Sequence, residues 1–123
     1  MVETIALVFC AIVIIACGVG LVVIGTRMKS GKFPPNGIVG TRTEFSMKSE
    51  ENWYFVQRLT GAPIRWLGYS MFLWIPAFVA YKFTNNDDFL YVTVALQMFL
   101  IILFWIIYFS GTRRHQNEIT HKD

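Results

Sequence analysis

Three apolar stretches constrain this chain more than any other feature of its sequence. They cover residues 5–25, 66–81 and 89–109, and none of them contains Asp, Glu, Lys or Arg. A helix needs roughly 20 apolar residues to cross a hydrocarbon core about 30 Å thick. The first and third stretches are long enough, and the second becomes so if Arg65 and Lys82 extend their charged groups to the membrane surfaces.

The pattern therefore predicts an all-α membrane protein, with residues 1–123 forming a single membrane domain. We expect three transmembrane helices, at about 5–25, 64–83 and 89–109. The connecting segments would be a loop at 26–62, a turn at 84–88 and a polar, frayed tail at 110–123. Charged residues make up only 15% of the chain, below the soluble average of about 25%, which leaves no material for a soluble domain.

The first stretch differs from a secretory signal. Its only preceding charge is Glu3, whereas a signal peptide has a basic start and a shorter apolar region. Residues 14–17 resemble a lipoprotein cleavage box ending at Cys17, but apolar sequence continues past it, so an intact helix is the favoured interpretation. Cys10 and Cys17 lie seven residues apart, about 10 Å along a helix, which is too far for a disulfide.

The distribution of basic residues predicts the orientation. Lys and Arg are concentrated in the 26–62 loop and in the tail, whereas the N-terminus and the 84–88 turn contain none. Short loops rich in Lys and Arg stay in the cytoplasm. We therefore expect the N-terminus and the turn outside the cell, and the loop and the C-terminus in the cytoplasm. The net charge of +3 reflects this asymmetry, and nucleic-acid binding is not predicted.

Several local signals organise the loop and the second span. Pro34 and Pro35 exclude a helix here, and the pair Asn36-Gly37 favours a tight turn. Ser46 and Ser49 are candidate helix N-caps. Residues 50–60 then read as a short amphipathic helix lying at the cytoplasmic interface. Two further expectations concern the end of that helix and the span that follows: a C-cap at Gly61 with a new helix starting at Pro63, and a kink at Pro76.

Small residues on the first span predict a packing seam. Its members recur at spacings of four and three, as in a helix-packing stripe: Ala6, Cys10, Val13, Cys17, Gly20 and Ile24. The seam would pack against the other two spans or against a partner protein. Gln97, the one polar amide inside the third span, would bridge helices by a hydrogen bond, with a transport pathway as the alternative.

Part of the loop resembles a known signature. Its residues are Asn36, Gly40, Arg42, Thr43, Ser49, Glu51, Trp53, Arg58 and Gly61. In order, spacing and membrane context they resemble the SdpI family of bacterial membrane proteins. The chain departs from the family pattern at Glu44-Phe45, where Pro-Trp is frequent, and at Gln57, where Asn is frequent.

The resemblance implies a small multi-helix protein of the bacterial plasma membrane, named for immunity to a secreted toxic peptide. It implies partner binding through the loop residues Asn36, Gly40, Arg42, Thr43, Glu51, Trp53, Arg58 and Gly61. The partners would be the toxic peptide or a cytoplasmic regulator, besides membrane lipids and a membrane protein or a second copy. The alternative is a structural accessory subunit of a larger respiratory or transport assembly.

Two of these residues each have two alternative roles. Arg42 could pair with Glu50 or Glu51 and latch the loop, or hold a lipid phosphate. Trp53 could anchor its helix in the interface or form a partner hot spot. No array of Ser, His and acid residues suggests an enzyme, and no cofactor or metal site is predicted. His115, Glu118 and His121 read as solvated tail residues.

Overall fold

The helices account for most of the protein. The computed structural model describes residues 1–122, and within that range it contains no β-strand. In chain order the helices are α1 (Val2–Lys29), α2 (Glu44–Met47), α3 (Glu50–Met71), α4 (Trp74–Thr84) and α5 (Asp88–Lys122). The all-helical prediction is confirmed. Two helices, α1 and α5, are long and apolar enough to cross a membrane by length and composition.

Four glycines bring α1 and α3 into backbone contact. A Cβ atom added to Gly25 would lie 2.7 Å from the Gly61 carbonyl oxygen, and one added to Gly68 would lie 2.9 Å from the Gly18 carbonyl oxygen. Gly18 therefore faces Gly68 and Gly25 faces Gly61, so the two helices run antiparallel. The spacing of seven residues on each helix matches a left-handed crossing, and the absence of side chains lets the backbones approach this closely.

The contact face of α1 differs from the seam expected from the sequence. Gly18, Gly25 and Met28 are the buried residues of α1. Ala6, Cys10 and Cys17 are exposed, and a Cβ added to Gly20 would meet no atom within 4 Å. The predicted seam is therefore not the face by which α1 packs on α3. The face that packs is the next one round the helix, and the small-residue seam points outward.

The segments predicted as an interfacial helix and as the start of a second span form one helix. Ser49 caps α3 by accepting a hydrogen bond from the Asn52 N–H at 3.0 Å, which confirms one of the two predicted caps. From Glu50 the helix runs to Met71 without interruption. The predicted stop at Gly61 and restart at Pro63 are wrong, because Gly61 is used for close approach to α1 instead of for a left-handed cap.

The expected kink occurs one turn before Pro76. Helix α3 ends at Met71 and α4 begins at Trp74. Proline has no N–H and its ring crowds the carbonyl four residues earlier, which here belongs to Phe72. That carbonyl accepts a tighter, three-residue bond from the Ile75 N–H at 3.3 Å. The neighbours change at this break, because α3 packs on both α1 and α5, whereas α4 packs on α5 and makes few contacts with α1.

Helix α5 is longer than the predicted third span. Asn85 ends α4 in the left-handed conformation, with φ 52°, and α5 then continues from Asp88 to Lys122. The expectation of a frayed tail is wrong for residues 110–122, which are helical, and Asp123 lies outside the described residues. Gly111 allows the backbone of α5 to pass close to Leu59. Within the apolar part, Gln97 Nε2 donates to the Met71 sulfur at 3.3 Å and so joins α5 to α3.

Candidate functional site

Asn36 shapes the first part of the loop that joins α1 to α3. Its Oδ1 accepts hydrogen bonds from the Ile38 and Val39 N–H groups at 2.9 and 2.7 Å, and its Nδ2 donates to the Pro34 carbonyl at 3.1 Å. An asparagine that bonds the backbone two and three residues ahead produces a tight turn. The turn predicted at this position is therefore present, and it is stabilised by the Asn36 side chain.

Gln57 holds the loop against α3. Its Oε1 accepts from the Thr41 N–H, and its Nε2 donates to the Thr41 carbonyl, both at 2.9 Å. The side-chain amide thus satisfies both backbone groups of one loop residue. Gln57 is fully buried, so neither bond competes with water. Buried backbone groups are costly to leave unpaired, and this pair gives the loop one defined position on the helix.

Trp53 lies beneath the loop. The Trp53 side chain is 1% exposed, and its Nε1–H donates to the Phe33 carbonyl at 2.9 Å. The two rings stack with centroids 6.4 Å apart. Neither sequence interpretation of Trp53 holds, because a side chain enclosed by its own loop is neither an interfacial anchor nor an available hot spot. It is the core of the folded loop.

Gly40 is required where the loop crosses this core. Its φ is +110°, which side chains rarely adopt. A Cβ there would lie 2.9 Å from the Gln57 Oε1 and 3.2 Å from the Trp53 ring. Both the conformation and the lack of space exclude a larger residue, so Gly40 has a structural reason to be glycine.

Three threonines extend the polar contacts to α3 and α5. The hydroxyls of Thr41 and Thr60 are 2.8 Å apart, and the Thr60 hydroxyl also donates to the Val56 carbonyl at 2.8 Å. Thr43 caps α2, with its side chain accepting from the Ser46 N–H. The Tyr108 hydroxyl donates to the Thr43 hydroxyl oxygen at 2.6 Å. Ser46, expected as a cap, is instead the third residue of α2 in a capping box that begins at Thr43.

His115 packs the C-terminal part of α5 against the same folded loop and α3. Its ring stacks on Phe55 with centroids 4.1 Å apart and meets Phe45 edge-on at 6.3 Å. Its Nε2 is buried and has no hydrogen-bond partner among the described residues. The ring therefore acts mainly as an aromatic packing group between α2, α3 and α5, which explains why the helix persists beyond the apolar stretch.

The charged residues of the signature lie on the outside of this folded loop. Arg42, Glu51 and Arg58 are exposed. Within residues 1–122 the one ion pair joins Lys82 to Glu3 at 3.1 Å. The predicted latch between Arg42 and an acid of α3 is therefore wrong. The amide of Gln57 and the indole of Trp53 close the loop, and the guanidinium of Arg42 is left on the surface.

The structure divides the signature into the exposed charged residues just described and a second group with structural roles. Asn36, Gly40, Thr43 and Trp53 build the loop, and Gly61 packs α3 on α1. The residues that sequence reasoning missed are polar or aromatic side chains of the same cluster: Thr41, Gln57, Thr60, Phe33, Tyr108 and His115. Gln57 carried a visible signal, because a glutamine one residue after Val56 and four after Trp53 falls on the apolar side of an amphipathic helix, where an amide needs a partner.

The folded loop presents charged side chains to its surroundings. The polar atoms at its centre are committed to hydrogen bonds within the loop, and its exposed groups are guanidinium and carboxylate side chains on a fixed backbone. Such groups recognise charged or hydrogen-bonding partners with little loss of entropy, because the backbone that carries them is already ordered.

Comparison with known proteins gives one match. The model of the SdpI/YfhL protein family matches residues 32–109, a segment that holds the loop, α2, α3, α4 and the apolar part of α5. No curated protein and no solved structure matches the chain. The matched segment covers more than half of the sequence and contains the Gln57–Thr41 pair, the Trp53 core and the exposed Arg42, so the chain belongs to the SdpI/YfhL protein family.

Proposed function

We propose that this chain is a non-enzymatic, three-span protein of the bacterial plasma membrane that protects against or senses a toxic peptide. The second span would consist of the part of α3 after Gly61 together with α4, in addition to α1 and the apolar part of α5. These residues, 61–84, would extend roughly 35 Å as a helix, enough for a hydrocarbon core of about 30 Å even with the break at Phe72.

The charges support one orientation for these spans. The last turn of α1, the loop and the far end of α5 carry most of the Lys and Arg residues. The Glu3–Lys82 ion pair places the N-terminus beside the end of α4, at the opposite end of the molecule. By the distribution of Lys and Arg, the loop and the C-terminus would lie in the cytoplasm, and the N-terminus outside.

Cysteine labelling in intact cells tests this orientation. In a background with Cys10 and Cys17 replaced by alanine, Asn86→Cys should react with a membrane-impermeant maleimide. Lys48→Cys should react only after the membrane is opened, because the loop faces the cytoplasm. The reverse pattern would overturn the orientation.

The observation that carries the proposed binding role is the exposure of Arg42 on a rigid loop. Gln57 and Trp53 fix the backbone beside it, and no acid among the described residues pairs with it. A guanidinium presents a planar fork of donors that matches a carboxylate. Arg42 and Arg58, which is also exposed, would therefore contact the toxic peptide or a cytoplasmic regulator, while the apolar helix faces contact the membrane-embedded part of the peptide.

Substitution of Arg42 separates binding from folding. Arg42→Ala should leave membrane abundance and the melting temperature unchanged, because the side chain is exposed and its removal leaves no opposite charge unpaired. Survival in the presence of secreted membrane-active peptides should fall to that of cells lacking the protein. Arg42→Lys should not restore it, because a point charge cannot supply the bidentate fork.

A matched control is Lys48→Ala, which removes another exposed cation from the same loop. It should keep full protection. Full protection by Arg42→Ala at normal abundance would remove this loop from the proposed function.

The outward-facing seam of α1 favours a second candidate, a structural accessory subunit of a larger membrane assembly. Ala6, Cys10 and Cys17 are exposed and Gly20 has open space beside it, which leaves a small-residue face suited to another helix. Purification in mild detergent distinguishes the candidates. A large partner present in equal amount would favour the accessory subunit, whereas a protein recovered without one favours the binding role.

A further inference from the structure

The break in the second span opens a groove on the outer half of the molecule. Just after the end of α3, α1 still lies close to the chain, because a Cβ added to Gly18 would be 2.9 Å from the Phe72 ring. Beyond that point α4 packs against α5 and makes few contacts with α1. The space between α1 and α4 is a groove of about 510 Å³. Its walls are mostly apolar, with Leu7, Ala11 and Ile14 on one side and Ile75, Phe78 and Val79 on the other.

An ion pair lies at the outer end of this groove. Lys82 Nζ and Glu3 Oε1 are 3.1 Å apart, and the two side chains are 60% and 75% exposed. Both residues also line the groove. An exposed ion pair contributes little to stability, so a ligand with complementary charges can replace it at small cost.

We propose that this groove binds one acyl chain of a phospholipid whose headgroup carries a primary ammonium, as in phosphatidylethanolamine. The lipid phosphate would lie on Lys82 and the lipid ammonium on Glu3, so that each protein charge exchanges one partner for another. The primary ammonium matters because it donates hydrogen bonds to the carboxylate. A choline headgroup has no N–H to donate, and a glycerol headgroup has no positive charge.

The dimensions of the groove favour an acyl chain over a helix. A helix at least 10 Å wide fills roughly 420 Å³ per 5.4 Å turn, so a groove of about 510 Å³ would hold little more than one turn. A second copy or a helical peptide would have to separate α1 from α4. An acyl chain fits between the apolar walls without doing so. The inference concerns the outer half of the protein and does not rest on the loop at the other end.

Lipid competition tests the proposal. The full chain is placed in nanodiscs with equal amounts of phosphatidylethanolamine, phosphatidylcholine and phosphatidylglycerol. It is then released into mild detergent, and the lipids that remain bound are identified by native mass spectrometry. The bound lipid should be phosphatidylethanolamine, preferred over the other two by about fivefold or more. Equal retention of the three lipids would overturn the proposal.

Two substitutions identify the contacts. Ala11→Phe should fill the groove and abolish the bound lipid, whereas Ala16→Phe, at an exposed position of the same helix, should retain it. Glu3→Gln should keep a bound lipid but lose the preference for phosphatidylethanolamine over phosphatidylcholine, whereas Asp87→Asn, which changes another exposed acid, should keep that preference. Unfolding temperatures verify that each variant is folded.

Other occupants would give different masses. A dimer in the wild type that Ala11→Phe disperses would assign the groove to a second copy. Unchanged phosphatidylethanolamine in Ala11→Phe would place the lipid elsewhere on the protein. Either result would overturn the proposed site.

Discussion

Replacing Gly61 with alanine is expected to lower the melting temperature of the protein by roughly 10 °C, from a loss of about 3 kcal/mol. The new methyl carbon would lie 2.5 Å from the Lys29 nitrogen and 2.7 Å from the Gly25 carbonyl oxygen. Both are backbone atoms, which cannot turn aside as a side chain can. The two helices would have to move apart, and the contacts at Gly18 and Gly68 would loosen with them.

The sign of this result distinguishes packing from helix propensity. Alanine is favoured over glycine inside a helix by about 1 kcal/mol, so a helix that met no neighbour at Gly61 would be stabilised by the change. Gly20→Ala is the matched control, because a Cβ at Gly20 would meet no atom within 4 Å. It should keep or raise the melting temperature in the same detergent. An unchanged or higher value for Gly61→Ala would show that the helices do not approach each other at this residue.

The same glycines show what the sequence could and could not predict about the fold. The helices follow from apolar length and from local signals such as the cap at Ser49 and the proline at position 76. The packing face of α1 does not, because this helix is apolar on every side and its periodicity favours no face. The useful signal was the repeated interval of seven residues in Gly18–Gly25 and Gly61–Gly68. Interpreting Gly61 as a helix end hid that interval.

The candidate site was predictable in its location and less so in its interactions. The signature residues Asn36, Gly40, Thr43 and Trp53 do come together. However, sequence spacing favoured an ion pair between Arg42 and Glu51, since opposite charges near a helix start are a frequent pairing. The structure uses the uncharged amide of Gln57 instead. A neutral amide can donate and accept at once and so satisfies both backbone groups of Thr41, which a guanidinium cannot do.

The helical tail also depends on a contact that the local sequence does not reveal. Residues 110–122 are polar enough to suggest a frayed end, yet the ring of His115 lies against Phe55 and Phe45. Those aromatic partners are about 60 and 70 residues earlier in the chain, and only the antiparallel placement of α5 beside α3 brings them to the histidine. A tertiary contact of this kind leaves no mark on local periodicity.

Gln57→Leu is expected to release the loop from α3. Leucine has a similar volume but leaves the Thr41 N–H and carbonyl without their partners in a buried position. The cost of unpaired buried groups is about 1–3 kcal/mol each, so we expect a loss of about 2–6 kcal/mol for the two. Trypsin should then cleave rapidly at Lys32, Arg42 and Lys48, which lie on the loop and resist cleavage while it is docked.

Gln97→Leu makes the same chemical change on another helix and is the matched control. The Gln97 amide is half-buried and donates to a sulfur atom at 3.3 Å, a weak acceptor. Its loss should cost less than about 1 kcal/mol and leave the rate of tryptic cleavage unchanged. Gln57→Glu adds a finer comparison, because it keeps the acceptor for the Thr41 N–H but turns a carboxylate oxygen toward the Thr41 carbonyl. It should also expose the loop. If both leucine variants resisted trypsin equally, the paired hydrogen bonds between Gln57 and Thr41 would not be what holds the loop on α3.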